Sequence, residues 1–442
     1  MTASARRTLW AIIAIGFGLR LTWALYARGA PPVDWFVSGD QYSYYHYGSE
    51  IARGRGYVGY VTGTATAYYP IGYPALLGIL YFVVLHSPVP DNLMLATALF
   101  HAVMGAASVA LVFVVGRALA GVRVGLLAAG LLAMFPNIIY QVSSVQLETT
   151  FIFLTLVTLA IIVTHDWSAG PPRAWRLVAF GSAMGAGVLV RPFLAVLLIG
   201  LAAGLTSLRI GWRRVVLGVV IPIGIVIAMS IPWTIRNAVH LHAFIPSSTN
   251  MGDTLCLDRN LEATGGFRFA AHDGCVDPGL PEVERNAGNT KKAIQFVLRH
   301  PAREALQIVR RARIMFADDN DGIQAVQTLG TGPVLSERII DVAKPVADWY
   351  FYAVVALALA GLPSFWERRN RPQRWLVLSG LVGLLVIPLL LWGNPRFHLP
   401  LAPFMVLCAA MALDRAWSAA RSARLDRFRP CPDSPRGTRL RR

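Results

Sequence analysis

Four residues of this 442-residue chain combine a reactive type with a telling position, Asp40, Glu148, Arg191 and Arg396, each at the edge of a long apolar run. Asp40 opens the polar, aromatic segment GDQYSYYHYGSEIARGRGY, Gly39 to Tyr57. A carboxylate held where a bilayer meets water can take the proton of an attacking hydroxyl. Arg191 precedes Pro192, and Arg396 lies in NPRFHLP. The planar fork of a guanidinium binds phosphate oxygens in pairs and stabilises charge as a phosphate leaves. At the edge of a span an arginine also snorkels to headgroups or binds carbonyls, and that reading stands beside the first. Glu148, at the head of its run, either orients a substrate or caps a helix, where the dipole favours negative charge. Asp34 is the rival acid to Asp40 but lacks the spaced tyrosines that follow it. Glu50 is expected to pair with Arg53 or Arg55.

The elements that position these residues are membrane spans. The chain is 55% hydrophobic and 15% charged, against about 25% charged in soluble domains, with a mean hydropathy of +0.50. A net charge of +17 would suit nucleic acid, but the arginines fill short gaps between apolar runs and the tail, where they set orientation. No nucleic-acid partner is therefore expected.

Apolar runs cover about 9–26, 71–87, 93–118, 122–136, 149–165, 175–190, 192–208, 214–234, 347–364, 374–392 and 397–413. Arg6 and Arg7 precede the first, which is too long for a cleaved signal and reads as a retained helix. If 71–87 crossed the bilayer, the gaps with Arg117 and Arg123, with Arg173 and Arg176, and with Arg209, Arg213 and Arg214 would all face outward, against the positive-inside rule. Placing 71–87 as a juxtamembrane helix restores the rule. About ten transmembrane helices result, with both termini cytoplasmic in a plasma (inner) membrane, multi-pass protein. Asp40, Glu148, Arg191, Arg236 and Arg396 then share the extracytoplasmic face. Residues 1–414 form the membrane domain, with outer loops at 29–92 and 236–348, and 415–442 form a basic cytoplasmic tail expected to be disordered.

In the second loop Cys256 and Cys275 suit a disulfide on an oxidising face, which would close the loop, or remain two thiols. Lys291 to Phe316 spaces Ile294, Val297, Leu298, Leu306, Val309 and Ile314 near one face with basic residues opposite, interrupted at Pro301. Such a helix meets anionic headgroups or packs beneath the loop. Asp318, Asp319 and Asp321 lack calcium-loop spacing and read as a solvated turn. No zinc-type His or Cys cluster, Walker motif or dinucleotide fingerprint occurs, so no metal ligands and no certain cofactor are assigned. Gly54 and Gly56 read as turn glycines.

Six stretches in order carry a resemblance: GDQYSYYHYGSEIARGRGYV, YYPIGYPALL at Tyr68 to Leu77, SSVQLETT at Ser143 to Thr150, LVRPFL at Leu189 to Leu194, IPWTIRNAVHLHAFIPSSTNMG at Ile231 to Gly252, and NPRFHLPLAPF at Asn394 to Phe404. Together they are similar to bacterial membrane glycosyltransferases of the GT-C fold, in the broad group of protein O-mannosyltransferases and lipid A aminoarabinose transferases. Two departures bear on the acceptor class: Gln41 stands where relatives often carry a second acid, and the soluble cap is small.

The resemblance implies an all-α integral membrane protein that takes a sugar, hexose or pentose, from a polyprenyl-phosphate carrier, usually with inversion, and gives it to a glycan, lipid or protein acceptor. Membrane lipids and that sugar donor are the expected partners, and metal dependence differs among relatives. It implies Asp40 as general base, with Glu148 as second acid. The expected donor-phosphate ligands are Arg396 and Arg191, with Arg236 a weaker candidate that otherwise anchors the membrane boundary. Tyr44, Tyr69 and Tyr73 would stack on sugar faces or belong to the interfacial belt. His398 is a substrate contact or a satisfied turn residue. The competing class is a transporter or flippase of lipid-linked sugars, for which the matched halves common in transporters are not seen.

Overall fold

The computed structural model describes residues 1–27, 29–89, 92–267, 279–330, 332–366 and 371–427. Among them, helices are accompanied only by two isolated β-bridges, Val58 with Ala65 and Gly266 with Gly393. Helix α1 (Ala3–Tyr26) starts where the Thr2 hydroxyl accepts from the Ala5 amide at 3.2 Å. The first loop holds α2 (Trp35–Ser38), α3 (Asp40–Ala52) and α4 (Gly72–Leu85). The bundle continues through α5 (Leu93–Ala120), α6 (Val122–Ala133), α7 (Pro136–Tyr140), α8 (Glu148–Val163), α9 (Ala174–Val190), α10 (Leu197–Ser207) and α11 (Trp212–Leu241). A long loop then carries α12 (Met251–Cys256), α13 (Glu282–Arg299), α14 (Pro301–Met315) and α15 (Asp321–Gln327). Last come α16 (Glu337–Gly361), α17 (Arg371–Leu389) and α18 (Ala402–Arg427), the final one entered through a 3₁₀ turn, Pro395–Leu401.

Among the described residues six helices are long and apolar enough to cross a bilayer: α1, α5, α11, α16, α17 and α18. A seventh is the pair α6 and α7, bent by 58° where Pro136 interrupts it. The other three expected spans fall on the shorter apolar helices α8, α9 and α10. At 14 residues α4 is about 21 Å long and α10, at 11 residues, about 17 Å, both short of an apolar core about 30 Å thick, so length alone does not separate α4 from the shorter spans. Helix α4 underlies α3: a Cβ on Gly48 would lie 2.7 Å from Leu77, and one on Gly78 would lie 2.5 Å from Ile51.

Arg20, the one charge in the first apolar run, is fully buried and caps another helix. Its guanidinium donates to the carbonyls of Ala133 and Leu132, both at 3.0 Å, and to Gly16 at 2.9 Å. Leu132 and Ala133 lie in the last turn of α6, whose carbonyls lack donors from a following helical turn. At the centre of the bundle α18 is buried from Ala402 to Met411, and it runs on to Arg427. It crosses α16 so closely that a Cβ on Gly361 would sit 1.9 Å from the Cys408 carbonyl oxygen. Cys408 is a buried free thiol.

The second loop is tied down by charge. Arg311 and Arg259 pair with Asp258 and Glu304, with Arg259 and Glu304 at 2.8 Å. The two arginines also donate to the Leu389, Leu390 and Leu391 carbonyls, which caps the end of α17. Glu282 accepts from the amide of Ala67 and the hydroxyls of Thr66 and Thr249, and this clamps the second loop onto the first. Cys256 is buried and disulfide-bonded, while Cys275 lies outside the described residues.

Candidate active site

Gly39 adopts a φ of +53°, a conformation open to glycine, and turns the chain so that Asp40 heads α3. One Asp40 oxygen accepts from the Tyr69 hydroxyl at 2.6 Å and the other from Arg396 Nη2 at 2.6 Å. Arg396 comes from the turn before α18, where the Asn394 side chain accepts from its amide at 2.7 Å. Its Nε faces Glu148 Oε1 at 3.3 Å, and Arg191 Nη2 approaches the same oxygen at 3.1 Å. The four residues singled out in the sequence therefore form one chain of charges, Asp40, Arg396, Glu148, Arg191, built from four separate elements.

Access differs along that chain. The Asp40 side chain is 26% exposed and that of Glu148 1%, so Asp40 is the acid a substrate can reach. Arg191 is walled by the rings of Phe151, Phe193 and Phe397, each 5.6 to 5.8 Å from its guanidinium carbon. The second Glu148 oxygen is buried with no hydrogen-bond donor among the described residues.

Burial pushes the Asp40 pKa up, but Arg396 beside it and the Tyr69 hydrogen bond outweigh burial and hold the carboxyl below its ordinary value. Asp40 is a carboxylate, ready to accept a proton but quenched by its partner.

Asp34 is no rival: its carboxylate caps α2 by accepting from Val37 N at 2.8 Å. Glu50 binds Arg55, as expected, and Gly54 and Gly56 have φ of +75° and +80°. Tyr44 lies against the rings of Tyr69 and Tyr73, with centroids 5.1 Å apart in each case. Tyr73 is fully buried and bonds His101 at 3.2 Å, so it packs in the core behind Tyr44. Arg236 donates to the Thr66 and Tyr57 carbonyls and packs on Trp233 at 5.0 Å, contacts that tie the first outer loop to α11. His398 is fully buried, bonded to Asp319 Oδ1 at 2.7 Å and the Met315 carbonyl at 2.6 Å and stacked on Phe351. It joins the turn before α18 to the second loop.

The acidic run is not a solvated turn. Asp319 is fully buried, accepting from Asn137 at 2.7 Å as well as His398. Asp321 accepts from Gln141 at 3.4 Å and feels both Arg396 and Glu148. Burial, with Glu148 adding to it against the pull of Arg396, pushes Asp321 up to about 6. Gln41 is a structural tie: its amide donates to the Ala325 carbonyl at 2.7 Å and Thr328 Oγ1 at 2.9 Å, and accepts from Val145 N at 2.9 Å. Among the described residues no group of three His, Cys, Asp or Glu side chains is arranged to hold a metal ion.

This architecture is the GT-C fold of membrane glycosyltransferases, as the sequence resemblance implied. The chain is similar to archaeal oligosaccharyltransferase AglB from Archaeoglobus fulgidus, solved with an inhibitory peptide and a dolichol-phosphate, at 14% identity and a TM-score of 0.53 over 98% of this chain and 52% of that one. The apo form of the Archaeoglobus fulgidus oligosaccharyltransferase gives 14% identity and a TM-score of 0.53 over 95% and 52%. ArnT from Cupriavidus metallidurans bound to undecaprenyl phosphate aligns over 98% of this chain and 82% of its own, at 16% identity and a TM-score of 0.41. This chain thus spans about half the length of the oligosaccharyltransferase, 52%. No protein family and no characterised protein matches the sequence itself.

Proposed function

We propose that the protein is a glycosyltransferase that moves a sugar from a polyprenyl-phosphate carrier to a glycan, lipid or protein acceptor on the outer face of the plasma membrane, with inversion. One observation carries this reading: the part-exposed Asp40 carboxylate is held directly on Arg396, which also touches buried Glu148. A base and a phosphate ligand thus stand side by side.

In this mechanism the carrier phosphate takes over Arg396 from Asp40, with Arg191 completing the anion site. Release from Arg396 returns basicity to Asp40, so the base becomes competent when the donor is bound. The acceptor nucleophile attacks the anomeric carbon, its proton passes to Asp40, and the bond from carbon to phosphate oxygen breaks with its electron pair leaving on that oxygen. The two guanidiniums stabilise the charge formed there. Buried Glu148 acts through the two arginines, holding Arg191 and Arg396 side by side on one oxygen. The positive-inside distribution of arginines supports the outward placement.

The test is mass spectrometry of envelope glycans, lipids and proteins from cells with and without the gene, complemented by wild type or Asp40→Asn. A sugar that disappears with the gene, returns with wild type and stays absent with the folded variant is the expected result. Restoration by Asp40→Asn would overturn the mechanism. Transport of labelled lipid-linked sugar across vesicles with its phosphate bond intact would favour a flippase.

A further inference from the structure

The two long helices of the second loop are folded inside out for a protein surface in water. Helix α14 buries Glu304, Gln307 and Arg311, the last two wholly, and α13 buries Asn289. Their exposed sides carry Ile294, Leu298, Leu306 and Val309, with Leu298 75% and Val309 65% accessible. Exposed basic residues, Lys291, Arg299, Arg310 and Arg313, accompany that apolar surface. Such a pattern fits a helix with apolar side chains in hydrocarbon and cations at headgroup level.

The fold fixes where this surface lies. Arg311 and Arg259 bind the carbonyls of Leu389, Leu390 and Leu391, so α14 is fastened to the end of α17, one of the helices long enough to span a bilayer. Val386 and Leu390, on the last turn of α17 and just beyond it, are themselves exposed and apolar. The apolar flank of the bundle therefore reaches the place where α14 is fastened.

We infer that α13 and α14 lie in the surface of the leaflet at that end of the bundle, with Ile294, Leu298, Leu306 and Val309 in the acyl boundary and the neighbouring lysine and arginines on anionic lipid phosphates. Charge complementarity and attachment to a span's end favour lipid over a protein partner. Seating reaches the site through short links. Glu282 at the head of α13 holds Thr66 and Ala67, and Asp253, bonded to Asn289 of α13, accepts from Tyr68, next to the Tyr69 that binds Asp40.

The test places nitroxide labels at Leu298→Cys, Leu306→Cys and, as an aqueous reference, Glu284→Cys, in a Cys431→Ser background of the full chain. The protein is reconstituted in nanodiscs of phosphatidylethanolamine and phosphatidylglycerol. All three labelled positions are exposed, and unchanged thermal unfolding verifies the fold. Labels at 298 and 306 are expected to collide severalfold more with oxygen than with a water-soluble nickel chelate, and the label at 284 the reverse. Nickel-dominated collisions at 298 and 306 overturn the proposal. So does shielding from both agents, which would mark a protein-covered face.

Discussion

Asp40 Oδ2 and Arg396 Nη2 lie 2.6 Å apart although 356 positions separate them in the chain. The contact joins the first outer loop to the turn before the last helix, and in the proposed mechanism donor binding must break it before Asp40 can act. Replacing Asp40 by Asn removes the proton acceptor at unchanged shape. Transfer should fall by about 10²- to 10⁴-fold with little change in thermal stability, read by product formation in proteoliposomes.

Lysine at position 396 keeps the charge but not the fork that reaches Asp40 and Glu148 together. Donor KM should rise about tenfold or more, as expected for losing one charge-assisted bond. A variant with wild-type KM would place the phosphate elsewhere.

Glu148→Gln leaves Arg191 and Arg396 without their shared buried counter-charge. Breaking one side of a buried pair costs about 3 to 5 kcal/mol, so the unfolding temperature should drop clearly in detergent. Adding Arg191→Met should return part of the loss, because the orphaned cation goes with it, yet donor binding should remain weak. Equal instability of single and double variants would show that the pairing does not matter.

Asp321 supplies a pH dependence. Its carboxyl is neutral in the folded protein below about 6 and charged above it, next to Arg396, Glu148 and the Gln141 amide. Folding stability from this group is complete below its unfolded value of about 3.9 and is lost as pH rises through about 6. The same ionisation adds a negative charge to an anion site, so affinity for polyprenyl phosphate should weaken as pH rises through that point. Asp40, held low by Arg396, stays charged throughout. Titration of binding should show the inflection in wild type and lose it in Asp321→Asn.

Glutamate at position 41 would supply the second acid that the sequence resemblance implies there, but here the Gln41 amide donates to Ala325 and Thr328. A carboxylate cannot, so Gln41→Glu should lose about 1 to 3 kcal/mol of stability and gain no activity. Enhanced transfer would instead mark position 41 as catalytic.

The cluster Asp40, Glu148, Arg191 and Arg396 was legible in the sequence because a bilayer excludes charge from the spans and collects it at their ends. Placing the basic gaps on one side then put these four on the other. Asp321 was not legible: its partners Arg396, Glu148 and Gln141 lie on distant segments, and three acids around an Asn and before a Gly look like a solvated turn whether or not a loop folds over them. Tyr73 and Arg236 stayed open between two readings for a related reason. A tyrosine bonded to a buried histidine and an arginine bonded to backbone carbonyls have the same one-letter signature as residues open to a ligand. Arg20 shows the converse, since a lone charge in a span only makes sense once the end of α6 is seen beside it.

The burial of α18 at the centre of the bundle also has a meaning for biogenesis. Ribosomal synthesis delivers Asp40, Glu148 and Arg191 long before the turn bearing Arg396, and α18 must then enter a space already surrounded by helices made earlier. Until it does, Asp40 lacks its arginine and Glu148 has only Arg191. Insertion of α18 is therefore the step that completes the chain of charges, so the cluster exists only in the finished protein.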